Sequence, residues 1–268
     1  MKTKLIDNVE FRELFYNSIR LLNEEKLLLS AICLTANSGK GKSAFINHFK
    51  EYCSNENVET VLIDFAVYSI TSEFELINYM YEQLCTVFNN NCFNNYLNEL
   101  EKTRETVKSK TEIKSINMVN TSIGSVEINN SNTDIISFSA MTNAFFKDVE
   151  KLPKKTVFFF DTLEKANDRI VELIKNKIVI NKRNDNYFTV IAGQKKIIDD
   201  SVASRYRIIN HTLPDKYYLK DYIEYAKEIE ISSLDPSDLK KIYNCWNGDP
   251  FRISIGLEPF RGDLLEKE

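Results

Sequence analysis

The sequence predicts an α/β fold: a parallel sheet flanked by helices, with a small helical lid at its C-terminal end. Three observations predict it. An apolar run, Leu27 to Leu34, leads into Ala36-Asn37-Ser38-Gly39-Lys40-Gly41-Lys42-Ser43 and then into a helix-like segment from Ala44. A second run, Val157-Phe158-Phe159-Phe160, ends in Asp161, and a third, Tyr187 to Ala192, ends in Gly193-Gln194. Unbroken apolar runs of strand length, alternating with helical periodicity, mark strands covered on both faces.

Strand, small-residue loop, Gly-Lys-Ser and helix is the layout of a phosphate-binding loop. Backbone N–H groups of the tight loop, together with the positive end of the helix dipole, suit the phosphates of a nucleotide. In this pattern Lys42 reaches those phosphates and the Ser43 hydroxyl ligates Mg²⁺. The usual first position is glycine and here it is Ala36, whose Cβ is expected to be strained if the loop places it at positive φ. Gly39 and Gly41 are two of only seven glycines. The plainer alternative is an ordinary glycine turn between a strand and a helix.

At 268 residues the chain suits one large domain or a domain with a small appendage, and 43% hydrophobic residues suffice for a core. A net charge of −4 and a pI near 5.5 speak against a protein built mainly to coat nucleic acid. No apolar run has the length to span a bilayer, and Lys2 and Lys4 lead into no signal-peptide core. Five cysteines without C-x-x-C spacing read as thiols of a reducing cytoplasm. With two histidines in all, a zinc site is not expected.

The elements follow in order. Phe11, Leu14, Phe15, Ile19 and Leu22 recur at helical spacing and predict an amphipathic helix. Its plainest role is core packing. Leu27 to Thr35 is the first strand, Ala44 to Cys53 the next helix, and Val58 to Phe65 the second strand, with Asp64 near its tip. Ser72 to Phe88 is a helix with Phe74, Ile77, Tyr81, Leu84 and Phe88 on its stripe. Tyr96 to Val107 returns to helix. Lys108 to Asn132 is a polar insert, either a β-hairpin about Gly124-Ser125 or a disordered linker. Ile135 to Leu152 is helical, Thr156 to Asp161 a strand, Asp168 to Ile180 a helix, and Tyr187 to Ala192 a strand. Ile208 to Leu213 is a fifth strand. Asp215 to Glu230, Pro236 to Trp246 and Phe251 to Leu257 are helices, the second opened by Asp235 as N-cap with Pro236 in the first turn.

Chemistry concentrates at strand ends. Ligands of open parallel sheets bind at the carboxyl ends of the strands, which places Asp161 near the phosphate loop, there to hold Mg²⁺. The competing reading makes Asp161 an N-cap, with Glu164 completing a capping box. Glu164 is otherwise the candidate to polarise an attacking water. Gln194 is either a γ-phosphate sensor or a surface turn residue. Arg205 and Arg207, just ahead of the fifth strand, are candidates for an arginine finger into a neighbouring subunit, against the ordinary reading of exposed arginines.

Together, Ala36 to Ser43, Val157 to Ala166 (with Asp161-Thr162-Leu163-Glu164) and Val190 to Gln194 resemble the STAND class of P-loop ATPases, relatives of the AAA+ proteins. Gln194 stands where that family ends its fourth strand in glycine-arginine. Asn247-Gly248-Asp249-Pro250-Phe251 is similar to the family's glycine-x-proline segment. The resemblance implies a P-loop NTPase fold with strand order 5-1-4-3-2, a nucleotide-binding domain over 1–214 and a helical lid over 215–268. The family's winged-helix and sensor domains have no room in 268 residues, so the expectation is a minimal form, or a piece of a larger system whose effector and sensor are separate chains. By the same resemblance ATP and Mg²⁺ are the ligands, the loop from Ala36 to Ala44 binds nucleotide, and Pro250 packs on adenine. The expected function is a cytoplasmic ATP-binding switch with Mg²⁺-dependent hydrolysis. It controls self-assembly as a homo-oligomer, or a separate effector protein, in a setting such as bacterial defence or signalling. A nucleotide-bound scaffold without turnover is the second expectation and an AAA+-like helper acting on DNA the third, nucleic acid being disfavoured by charge.

Overall fold

Five parallel strands, β1 (Ala31–Thr35), β2 (Glu59–Asp64), β3 (Thr156–Asp161), β4 (Tyr187–Gly193) and β5 (Ile208–Thr212), pair in the order β2-β3-β4-β1-β5. This is the expected 5-1-4-3-2 order read from the other edge. The computed structural model describes residues 9–111, 132–180, 182, 185–228, 231 and 234–257. β3 and β4 are buried along their whole length and β1 almost so, which is why their sequences carry no polar alternation. The outer strands β2 and β5 are partly exposed. Register pairs Thr35 with Gly193 and Asp64 with Asp161, so the ends of four strands meet along one edge of the sheet.

β1 starts four residues later than its apolar run. The helix α1 (Val9–Asn23) ends in a left-handed residue, Glu25 at φ 58°, and the Lys26 N–H returns to the Leu21 carbonyl at 2.8 Å. Leu27 therefore packs inward as part of a connection, and Leu28 points out with 67% exposure. α1 buries Phe11, Phe15, Ile19 and Leu22 against α2 (Lys42–Asn55), which supplies Phe45, Ile46, Phe49 and Cys53. Phe15 stacks on Phe49 with centroids 3.9 Å apart and lies 6.2 Å from Phe159 of β3. This aromatic layer fixes the α2 axis, and with it the loop that opens the helix. Cys33 and Cys53 sit in the interior as free thiols, and burial raises Cys33 to about 12.

The chain divides into two compact units, Met1–Ser69 with Lys154–Glu268 and Ile70–Pro153. Within the second unit the helices α3 (Glu73–Cys85), α4 (Asn94–Thr111) and α5 (Asn132–Val149) bury one another. Tyr81, Phe93, Tyr96 and Phe145 form their shared aromatic core, with Tyr81 and Phe93 rings 5.3 Å apart. Ser72 and Glu75 make a reciprocal capping box at the start of α3. Buried Asp148 of α5 accepts the Tyr96 N–H at 2.8 Å and so caps α4 from a neighbouring helix. α4 runs on through Thr111, four residues into the predicted insert. The rest of that insert, 112–131, lies outside the described residues.

In the first unit, α6 (Asp168–Leu173) continues as a wider π-helical turn, Ile174–Ile180, where a single α-helix was expected. The wider winding carries both Ile178 and Val179 to the buried side. After α7 (Asp200–Arg205) and β5 come α8 (Leu219–Glu228), α9 (Pro236–Trp246) and α10 (Pro250–Leu257). These last three share a small core of Tyr217, Tyr222, Tyr225, Leu239, Ile253 and Leu257. Asp235 caps α9 through the N–H groups of Ser237 and Asp238 at 2.7 and 2.9 Å, as expected from the Asp-Pro pair. Among the described residues no helix is long and apolar enough to cross a membrane.

At the amino end of the sheet Lys182 is partly buried, its Nζ donating to the Leu29 carbonyl at 3.2 Å and lying 5.5 Å from the centre of the Tyr187 ring. Burial lowers its pKa to about 8, against a smaller upward effect of Asp185. The folded value lies below the unfolded value of about 10.4, so the native state binds fewer protons and stability rises with pH between about 8 and 10.4. Lys182→Met is therefore expected to stabilise the chain by about 1–3 kcal/mol at pH 7 in urea unfolding, with the gain vanishing above about pH 10.4.

Candidate functional site

The loop between β1 and α2 is built from backbone conformations that its glycines permit. Gly39 lies at φ 75° and Gly41 at φ 90°. Gly41 is the N-cap of α2 and offers no side chain to the first amides of that helix. A Cβ at Gly41 would meet no atom within 4 Å, so the helix opens onto free space at its positive end. Ala36 escapes the expected strain. It is absent from the positive-φ residues, its N–H donates to the Gly193 carbonyl at 3.2 Å, and its methyl group is buried in the core. The loop thus begins in strand-like geometry, where alanine fits as well as glycine.

Lys42, the first residue of α2, folds back under the loop. Its Nζ donates to the Ala36 carbonyl at 2.7 Å and the Asn37 carbonyl at 3.0 Å, and only 8% of the residue is exposed. Burial lowers its pKa, with Glu164 and Asp161 acting in the opposite direction. Both carboxylates are therefore close enough to act on the Lys42 charge.

Asp161, at the end of β3, is 3% exposed. Burial raises its pKa; the Ser43 hydroxyl and the Thr162 N–H, both donating to the carboxylate, oppose the rise, and neighbouring Asp64 adds to it. The Thr162 bond is 2.8 Å long, and Thr162 turns the chain through a left-handed conformation at φ 56°. Asp161 caps no helix. The short 3₁₀ turn that follows, Leu163–Lys165, is preceded by Thr162 with no side-chain cap, and α6 is capped by Asn167, whose side chain accepts the Ile170 N–H at 3.0 Å. The capping-box alternative is not realised, and Glu164 faces elsewhere: its Oε2 accepts the Gln194 N–H at 3.1 Å. Hydroxyl and carboxylate oxygens joined at Ser43 and Asp161 are hard donors, and they fit Mg²⁺ in chemistry.

Gln194 follows β4 at the same edge, exposed, with its main chain rather than its side chain engaged. Asn37 and Lys40 reach the helical tail. Asn37 Nδ2 donates to Asp215 Oδ1 at 3.0 Å, and Lys40 Nζ pairs with Asp249 Oδ2 at 2.8 Å. Burial works to raise the Asp249 pKa, but the Lys40 pair and the Arg252 amide hold it below the usual carboxylate value. Ser38 is exposed and Ala44 half-buried. Pro250 is buried at the start of α10, directly after the residue that Lys40 holds. Arg205 and Arg207 are exposed at the amino end of β5, where the Arg207 carbonyl accepts the Ser30 N–H at 2.9 Å. That is the end of the sheet away from the loop, so neither serves the site of its own chain.

Three residues at this edge were not assigned roles from the sequence. Asp64 has a usable signal, an apolar run ending in aspartate as at Asp161. Asp215 and Asp249 have none, since 178 and 209 residues separate them from their loop partners.

A Lys-Ser loop at a helix start, a carboxylate at the adjacent strand tip and a 2-3-4-1-5 parallel sheet define a P-loop NTPase domain. Residues 13–245 match the KAP family P-loop domain, and the chain belongs to that family. The fold is similar to Cdc6p from Pyrobaculum aerophilum, with 13% identity over 93% of this chain and 61% of that one and a TM-score of 0.52. Orc1 from Aeropyrum pernix, in complex with DNA, gives 11% identity, coverage of 92% and 56%, and a TM-score of 0.52. A RuvB variant from Thermotoga maritima gives 12%, coverage of 96% and 62%, and 0.51. The chain spans less than two thirds of the length of each of these structures. No curated protein matches it.

Exchanges in opposite directions at the two small residues of the loop are both expected to destabilise, for different reasons. Gly41→Ala is expected to lose about 1–2 kcal/mol of stability from the left-handed backbone alone. Ala36→Gly removes a buried methyl group at an ordinary φ and is expected to lose about 0.5–1 kcal/mol through chain entropy and packing. Urea unfolding of both variants measures the contrast.

Proposed function

We propose that this chain is an ATP-binding switch that hydrolyses ATP with Mg²⁺ and uses its helical tail, 215–268, as a lid. The observation that carries this reading is the meeting of Lys42, the Ser43–Asp161 hydrogen bond and Glu164 at one edge of the sheet. Lys42 is held on loop carbonyls that a nucleotide's phosphates would replace as partners. Ser43 and Asp161 would hold Mg²⁺, which supplies neutralisation of phosphate charge. Glu164 stands beside them to orient a water and accept its proton. Pro250 is the candidate adenine contact, and Arg205 and Arg207 are candidates to act on a neighbouring copy's nucleotide.

Within the KAP family, the Asp161-Thr162-Leu163-Glu164 segment and Gly248-Asp249-Pro250 support kinship with STAND-type switches. In that setting the lid would control self-assembly or a separate effector in the cytoplasm, with defence or signalling as its context. A second reading, a nucleotide-bound scaffold without turnover, is favoured by one observation: Glu164 Oε2 accepts the main-chain N–H of Gln194, which engages the carboxylate that would orient the water.

Direct measurement separates these readings. Lys42→Ala is expected to weaken ATP binding at least ten-fold, about 1.4 kcal/mol, and undiminished affinity would overturn the phosphate-loop assignment. Glu164→Gln is expected to keep ATP binding and lose steady-state phosphate release. A wild-type chain that retains nucleotide but releases no phosphate identifies the scaffold instead.

A further inference from the structure

We propose that Lys40 is a second cation of the phosphate loop that Asp249 withholds, so that the helical tail is latched to the loop and phosphate binding loosens the latch. The inference rests on the phosphate-loop reading above. Lys40 Nζ lies 2.8 Å from Asp249 Oδ2; the side chains are 13% and 30% exposed, so the pair is partly shielded from water. A second bond runs the same way, from Asn37 Nδ2 to Asp215 Oδ1. Two polar side chains of the loop are thus spent on carboxylates of the tail.

The carboxylate is set on a rigid base. Gly248 takes φ 72°, and a Cβ there would come within 3.2 Å of the Tyr217 carbonyl and of the Tyr243 ring. Tyr222 donates its hydroxyl to the Gly248 carbonyl at 2.8 Å, and the Asp249 N–H donates to the Trp246 carbonyl at 3.0 Å. Asp249 Oδ1 accepts the Arg252 N–H at 3.0 Å, which leaves Oδ2 for Lys40. A side chain held this way does not follow Lys40 if the lysine turns away.

The loop that receives phosphates therefore faces two tail carboxylates, Asp215 and Asp249, the second paired with Lys40. Phosphates arriving at the loop add negative charge beside these carboxylates and compete with Asp249 for Lys40. Coupling of this kind is reciprocal: whatever loosens the latch tightens phosphate binding, and phosphate binding loosens the latch.

The test uses the whole chain with ATP and Mg²⁺, measuring affinity by calorimetry and backbone opening by hydrogen exchange over 219–228 and 250–257. Asp249→Asn is expected to bind ATP about five-fold or more tightly, Lys40→Met more weakly, and Asp249→Glu close to wild type. ATP is expected to speed exchange in those helices in the wild type, and Asp249→Asn to show the faster exchange without ATP. Weaker binding by Asp249→Asn, or slower exchange with ATP, would overturn the latch while leaving the phosphate-loop reading intact if Lys42→Ala weakens binding at least ten-fold. No ATP binding in the wild type overturns both.

Discussion

The position of β4 between β1 and β3 is the constraint on which the site depends. Parallel pairing aligns strand ends, and the register of Thr35 with Gly193 brings the start of the phosphate loop beside the turn after β4. The bond from the Ala36 N–H to the Gly193 carbonyl extends that ladder one residue into the loop itself. On the other side of β4, β3 delivers Asp161 to the Ser43 hydroxyl at the head of α2. Were β4 not beside β1, the bond from the Ala36 N–H to the Gly193 carbonyl would be lost, because the next strand lies roughly 5 Å further off, beyond hydrogen-bond reach.

Burial then sets the electrostatics of that edge. Lys42 and Asp161 are both nearly sealed from water, and each is shifted toward its neutral form by desolvation. Each also supplies part of the charge that keeps the other ionised. Lys42 finds loop carbonyls, and Asp161 finds a hydroxyl and an amide. Buried charges satisfied in this way avoid the cost of an unpaired charge in the interior.

Much of this was legible in the residues. The helices with clear three-and-four spacing and the strands with unbroken apolar runs are present, because a face that must be buried imposes its own period. Asp235-Pro236 opens a helix as local capping chemistry requires. Boundaries moved where a turn intervened, as at Glu25 before β1, or where helical winding changed, as at Ile174. On α3 the expected Ile77 and Leu84 are buried, together with Leu76 and Met80. The concern over Ala36 dissolved, since only the φ of that residue decides whether a Cβ is strained, and that φ is a property of the assembled loop.

The sequence by itself determined the parallel α/β class, the loop from Ala36 to Ser43, and the candidacy of Asp161 and Glu164. These are local matters: apolar runs, small residues and a carboxylate at a strand tip declare themselves within a few positions. Only the tertiary structure decided that Asp161 bonds Ser43 and caps nothing, that Glu164 is held by the Gln194 amide, and that Lys40 and Asn37 are taken by Asp249 and Asp215. Those pairings join residues far apart in the chain. They form because the parallel sheet and the packing of the helical tail bring the groups to one edge, and no spacing in the sequence encodes that approach.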